Sequence, residues 1–195
     1  RLPAVYDQID AMKPDAPVIR PSRSTERNNI CSHQSKKRGE VEAGFAQADI
    51  IVENAYRVGI AHQGYIEPHC CVARFDRSGQ LTVWASIQGQ FNARAALANQ
   101  LEIPVHNVRV IAPEIGGAFG GKTGLIMEPI AAMLARMAGA PVKIAMSRQE
   151  ELIDSHPGPG CLIHVKTAAR KDGTLIAEWA EIFYDTGAAS GAPTG

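Results

Sequence analysis

Val108-Arg109-Val110-Ile111-Ala112-Pro113-Glu114-Ile115-Gly116-Gly117-Ala118-Phe119-Gly120-Gly121-Lys122-Thr123 joins a short apolar run to a loop with four glycines in six residues. Without a Cβ, such a loop adopts positive φ easily and can bring its N–H groups close to an anion. The β-branched residues before it predict a strand over 107–112. After it, Ile126, Ile130, Met133, Leu134 and Met137 recur at helical spacing and predict a helix that turns this apolar stripe to the core and stops at Gly139. The expectation is a loop that opens a helix, where unpaired N–H groups and the helix dipole favour negative charge.

Working outward, Ala93, Ala96, Leu97 and Leu101 predict a helix over 91–101 that ends before Pro104. Upstream lie three strand-like runs, 50–60, 65–75 and 81–87, the last two joined by the turn Asp76-Arg77-Ser78-Gly79. They read as an antiparallel meander. A short helical pattern covers 40–48. Downstream come a strand at 142–146, a helical turn at 148–153, a loop at 156–160 and a hairpin of 162–170 with 175–184, closed at Lys171-Asp172-Gly173. Strands bracketing two helices give an α+β fold, a mixed and largely antiparallel sheet with helices packed on one face. Residues 1–39 hold Pro3, Pro14, Pro17 and Pro21, a polar run over 22–29 and the basic Lys36-Lys37-Arg38. They read as a connector, with the domain proper at 40–195.

Composition narrows the function classes. The 195 residues are 45% hydrophobic and 21% charged, with 20 basic and 20 acidic residues. That balance argues against a nucleic-acid or anionic-membrane partner. No apolar run approaches the roughly 20 residues of a membrane span, and residues 1–4 lack the apolar core of a signal peptide. Cys31, Cys70, Cys71 and Cys161 form no C-x-x-C pair, so zinc or iron–sulfur ligation has little support and a reducing, cytoplasmic setting is expected. Both ends read as cut from something larger.

Taken literally, residues 116–123 fit G-x-x-x-x-G-K-T, a nucleotide-binding P-loop in which Lys122 reaches phosphates and Thr123 holds magnesium. An acidic partner can even be sought at Asp185. A meander, rather than alternating β and α, argues against it. Glu67 and His69, at i, i+2, share a strand face and read as a buried hydrogen-bonded pair. His62 and His156 have no evident partner, and Glu150, Glu151 and Asp154 with Arg148 read as a solvated helical turn.

Several motifs in one order carry a more specific signal. Trp84-Ala85-Ser86-Ile87-Gln88-Gly89, then residues 116–122 and Pro141-Val142-Lys143, together with Glu67-Pro68-His69, Ser147-Arg148-Gln149-Glu150-Glu151 and residues 41–53, resemble the large molybdenum-binding subunit of the molybdenum hydroxylases. That family includes xanthine dehydrogenase, aldehyde oxidase, nicotinate dehydrogenase and aerobic carbon monoxide dehydrogenases. The resemblance implies that Gln88 donates from its amide to an oxo ligand of molybdenum. It also implies that Phe119 sits against the metal centre, and that Gly117, Gly120 and Gly121 permit the close approach. Gln88 and Phe119 thus touch the metal's ligands without ligating the metal themselves. The implied cofactor is molybdopterin, with a cytosine dinucleotide form as one option. The implied reaction is hydroxylation of an aldehyde or N-heterocycle with water-derived oxygen, electrons passing to [2Fe–2S] clusters and FAD on partner subunits or domains of a hetero-oligomer. Residues 1–39 resemble the end of the preceding hammerhead domain. Purine-oxidising members carry a glutamate where Thr123 stands, so xanthine is not the expected substrate. The family's catalytic glutamate lies beyond this chain, as do most pterin-binding segments, so no catalytic residue is assigned within it and the isolated chain is expected to be inactive. The molybdenum reading also expects little dependence on the charge of Lys122.

Overall fold

The computed structural model describes residues 7–18 and 29–187. The polar run at 22–28 and the extreme ends of the chain lie outside the described residues. The elements are α1 (Gln8–Ala11), α2 (Val41–Ala46), β1 (Ile50–Val58), β2 (Cys70–Phe75), β3 (Leu81–Ala85), α3 (Gln90–Gln100), β4 (Val108–Ile111), α4 (Glu128–Ala138), β5 (Val142–Ala145), α5 (Arg148–Ile153), β6 (Cys161–Ala169) and β7 (Leu175–Tyr184). The chain divides into two compact units, residues 61–158 and the segments on either side of them.

The flanking segments build a three-stranded antiparallel sheet in the order β1-β6-β7. All nine residues of β1 find partners on β6, from Ile50↔Ala169 to Val58↔Cys161. The β6–β7 hairpin turns where the sequence places it, with Gly173 at φ 89°. Helix α2 lies so close to β7 that a Cβ on Gly44 would come within 2.8 Å of the Ala177 Cβ. Gln8–Ala11, within the segment expected to be a connector, forms a small helix that its proline-rich composition does not predict. Asp7 caps α1 by accepting from Ile9 N at 2.8 Å, which satisfies one of the helix's unpaired donors.

Residues 61–158 build a second, four-stranded sheet in the order β4-β3-β2-β5. Strands β3 and β4 run parallel, joined through α3, while β2 pairs antiparallel with both β3 and β5. The α+β class therefore stands, but the expected single sheet is two, and the expected three-strand meander is only β2–β3. The reason lies in β1, whose nine-residue length is matched by β6. The second strand is also shorter than expected, because residues 65–69 are held by side-chain hydrogen bonds instead of a ladder.

The core of this unit joins one face of the sheet, from Cys71, Ala73, Leu81, Val83, Ala85 and Val108, to Ala93, Leu97 and Ala98 of α3 and Ala131, Ala132 and Ala135 of α4. Here the sequence expectation for α4 is reversed. Glu128, Ala131, Ala132 and Ala135 also recur at i, i+3, i+4 and i+7, and this small-residue face is the buried one. Ile130, Met133, Leu134 and Met137 are exposed, Met137 at 81%. Small side chains let the helix approach the sheet closely, and bulk was the wrong criterion for choosing the face. Ala132→Leu, at a position with no exposure, is expected to cost about 1–3 kcal/mol through overpacking. Met137→Glu should stay within about 0.5 kcal/mol of the parent. Urea denaturation of the chain carrying each change measures both.

Helix α4 starts at Glu128, with residues 124–127 irregular. Gly116–Thr123 therefore does not open it, and the helix-dipole argument for an anion at the loop falls. The free N–H of Ile126 is taken up instead by the Glu128 carboxylate at 2.9 Å.

Candidate functional site

Strand β3 delivers Gln88 to the surface just beyond its end. Ser86 and Ile87 are buried, and Gln88 is exposed immediately before α3. Its N–H donates to Lys122 O at 2.8 Å. Its side-chain Oε1 accepts from Gly120 N at 3.1 Å and from Lys122 N at 3.2 Å. Both partners are backbone donors, so the orientation of the amide is fixed by its network. The oxygen faces the loop, and Nε2 carries two N–H groups that donate to no described residue. One side chain thus braces the glycine loop and presents donors outward.

The loop itself is built from left-handed residues. Gly117 and Gly120 have φ of 93° and 89°, and Phe119 has φ of 51°. For a bulky side chain that is an unfavourable region, held only where the surroundings impose it. Phe119 is 75% exposed, so no core fixes its ring. Space around the glycines is tight on the inner side. A Cβ on Gly121 would lie 2.7 Å from the Tyr65 ring and 2.8 Å from Gln63 Oε1, and one on Gly116 would lie 2.7 Å from the Glu67 Cβ. Within the loop Gly121 N donates to Ala118 O at 2.8 Å. The N–H groups of Gly117, Ala118 and Phe119 donate to no acceptor among the described residues.

Lys122 is where the nucleotide reading fails. Its side chain has no exposure, and Nζ lies 2.8 Å from Glu67 Oε2 and 4.8 Å from the centre of the Tyr65 ring. An ammonium that is buried, paired and under a ring is not available to phosphates. Thr123 Oγ1 turns back to Gly120 O at 3.3 Å, and Asp185 accepts from Gly187 N at 2.9 Å. The Lys122–Glu67 pair corrects a further expectation: Glu67 partners Lys122 rather than His69.

Below the loop lies a buried carboxylate. Glu151, expected to be solvated, has no exposure. It accepts from Tyr65 Oη at 2.5 Å and from His69 N at 2.6 Å, and it meets His69 Nδ1 at 2.8 Å. His62 Nε2 stands 3.8 Å away. Arg148, from the same helix, donates to the carbonyls of Tyr65 and Ile66. Burial pushes the Glu151 carboxyl up, but the Tyr65 hydroxyl and the His69 N–H groups outweigh it and hold the carboxyl below its ordinary value of 4.5. Burial, seconded by the bond to Glu151, pushes the Tyr65 hydroxyl up to about 12.

The signs of these shifts set a pH profile. A depressed carboxyl contributes stability above its unfolded pKa, and that stability is lost as pH falls through the folded value. A raised phenol contributes nothing extra below its ordinary 10.0 and costs stability as pH climbs from there toward 12. Urea midpoints across pH are expected to be flat between these limits and to fall on both flanks. In Glu151→Gln the acid flank should shrink.

Glu67, Tyr65 and Glu151 are the residues that sequence reasoning missed in these roles. A signal was present for Glu151. Ser147 and Glu150 form a capping box, with Ser147 Oγ accepting from Glu150 N at 3.2 Å. That fixes the start of α5 and turns the next residue, Glu151, inward. Nothing in the sequence alone pairs Glu67 with Lys122, 55 residues apart.

A family model described as a molybdopterin cofactor-binding domain matches residues 23–194. The nicotinate dehydrogenase large molybdopterin subunit of Eubacterium barkeri is 35% identical over 187 residues, 96% of this chain and 43% of that protein. The carbon monoxide dehydrogenase large chain of Afipia carboxidovorans is 30% identical over 199 aligned positions, 96% of this chain and 25% of that protein. Among solved structures, a reconstituted CO dehydrogenase from Oligotropha carboxidovorans superposes with a TM-score of 0.72 at 28% identity, over 93% of this chain and 24% of that one. The chain spans less than half the length of these relatives.

Proposed function

Because this chain belongs to the molybdopterin cofactor-binding domain family, we propose that Gln88 and the loop around Phe119 form one wall of a molybdenum–pterin site in the catalytic subunit of a molybdenum hydroxylase. The observation that carries this reading is the Gln88 amide, whose oxygen is consumed by Gly120 N and Lys122 N. Its nitrogen is thereby left to donate outward, as an electron-rich ligand of such a centre requires. The residues present fit the group in two further ways. The outward face of Gly120 is open, with nothing within 4 Å of where a Cβ would stand. The N–H groups of Gly117 and Phe119, in a loop braced on both sides, donate to no described residue and are proposed to meet the group's negative charge.

When bound, the cofactor supplies redox chemistry that places water-derived oxygen on an electron-poor carbon and takes up two electrons. This chain's share is positioning. Gln88 holds an acceptor through Nε2. The exposed Phe119 ring offers an apolar surface beside it. The braced loop keeps both in place without reorganisation, which is how preorganised donors contribute to rate. Thr123, turned back on Gly120 O, offers no carboxylate to a purine, so the substrate class proposed is an aldehyde or a non-purine N-heterocycle. Electrons would leave through iron–sulfur and flavin partners in a hetero-oligomer, with the reaction's catalytic glutamate supplied from outside this chain. A cytoplasmic setting is proposed with it. Among the described residues no helix is long and apolar enough to cross a membrane.

The test is turnover by the full-length protein in ¹⁸O-labelled water, with panels of aldehydes and N-heterocycles and an artificial electron acceptor. The expected product carries the label, and the isolated chain gives none. A fully active protein that places unlabelled oxygen in its product would overturn the reading.

A further inference from the structure

Glu67 stands at the one point where both ends of the glycine loop converge. Its Oε2 accepts from Gly116 N at 3.0 Å and from Lys122 Nζ at 2.8 Å, and its own N–H donates to Gly116 O at 3.2 Å. A single carboxylate oxygen thus closes residues 116–122 into a ring. On the other side Gln88 Oε1 holds Gly120 N and Lys122 N. The left-handed residues Gly117, Phe119 and Gly120 lie between these two braces. The Phe119 ring is 75% exposed, so no core fixes it. What imposes the φ of 51° on Phe119 is therefore the closure of the loop.

Charge matters to this closure as well as hydrogen bonding. The Lys122 ammonium has no exposure, and Glu67 is its ion-pair partner. The Tyr65 ring below it contributes a cation–π contact at 4.8 Å, and Tyr65 is anchored in turn by Glu151. A buried ammonium that loses its counter-charge must move to water or lose its proton. Either change draws Lys122 out and opens the loop it terminates.

We infer that Glu67 is a positioning residue, whose carboxylate, by neutralising Lys122 and pinning Gly116, sets the place of Phe119 and of the Gln88 amide at the cofactor. This inference rests on the molybdenum reading for its consequence, but not for the closure itself.

The test uses the full-length protein as wild type, Glu67→Gln, Lys122→Met and the double variant. Glutamine keeps the size and one acceptor of Glu67 and removes its charge, and methionine keeps much of the length of Lys122. Hydrogen exchange of the peptide over 113–125 reads loop closure with or without cofactor. Glu67→Gln should raise that exchange at least tenfold and leave the β2–β3 peptide unchanged. The double variant, with no buried charge to compensate, should recover to within about threefold of wild type. In cofactor-loaded protein, the Mo(V) electron paramagnetic resonance signal should shift in Glu67→Gln at unchanged molybdenum content and return toward wild type in the double variant. A double variant no better than Glu67→Gln, or unchanged loop exchange in Glu67→Gln, would overturn the positioning role. Wild-type protein that shows the exchange pattern but holds no molybdenum or pterin would overturn the cofactor reading and leave the closure standing.

Discussion

Glu151→Ala is expected to lower the stability of the chain by about 3–5 kcal/mol, among the largest effects of any single substitution here. The carboxylate it removes accepts from Tyr65 Oη and His69 N and meets His69 Nδ1 at 2.8 Å. Tyr65 and His69 are each only 1% exposed, so water cannot replace what is lost. Each buried donor left without an acceptor costs about 1–3 kcal/mol. Glu151→Gln keeps one good acceptor but points an amide N–H group at a backbone N–H, so an intermediate loss is expected. Its pattern should also differ, because the acid-side fall in stability depends on the charge. Urea denaturation of the chain at neutral pH separates the three proteins. A loss below about 1 kcal/mol in Glu151→Ala would mean that this buried cluster does not hold residues 65–69.

The glycines of the loop should fail in a definite order when replaced by alanine. Gly117 combines a φ of 93° with a Cβ position 3.1 Å from the Tyr65 Cβ and 3.3 Å from the Phe119 ring. Gly121 has ordinary φ but tight space, 2.7 Å from the Tyr65 ring. Gly120 has a φ of 89° and open space. Left-handed backbone costs a non-glycine residue about 1–2 kcal/mol. Steric contact adds to this only where the neighbour cannot move, and Tyr65 is fixed by Glu151 below and by its place in the loop's underside. Gly117→Ala and Gly121→Ala should therefore cost most, about 2–4 kcal/mol, and Gly120→Ala least, about 1 kcal/mol. Gly79, in the β2–β3 turn with a φ of 84° and nothing within 4 Å, is the control for backbone strain alone. In full-length protein the same order should appear in pterin content. Loss of pterin in Gly120→Ala equal to that in Gly117→Ala would show that the loop's packing on Tyr65 is irrelevant to the site.

The parts of this molecule that could be read from its sequence are those governed by local rules. Helix α3 and the β6–β7 hairpin follow from apolar spacing and turn residues, and Gly139 ends α4 in the left-handed conformation expected of it, φ 61°. What could not be read depends on partners distant in sequence. Strand β1 looks like the first strand of a meander until β6 is present to claim it. The buried face of α4 is chosen by the space beside β2, which suits alanine, and no hydrophobicity ranking favours Ala131 and Ala132 over Ile130 and Met133. Lys122 in its motif looks like a phosphate ligand because the motif carries no record of Glu67. Resemblance to a family, rather than local spacing, points to Gln88 and Phe119. The arrangement of the Gln88 amide, with its oxygen toward the loop and its nitrogen outward, is a physical reason for that choice which spacing alone could not provide.

The most direct test of the site is the Mo(V) electron paramagnetic resonance spectrum of full-length protein, wild type beside Gln88→Leu, with molybdenum and pterin measured in both. The expected result is a stoichiometric molybdenum–pterin content in wild type and a clearly altered signal in Gln88→Leu, because the donor from Nε2 is gone and the brace on Gly120 and Lys122 with it. Identical spectra at equal molybdenum content, or folded wild-type protein free of molybdenum and pterin, would contradict the assignment of Gln88 and the glycine loop to this cofactor.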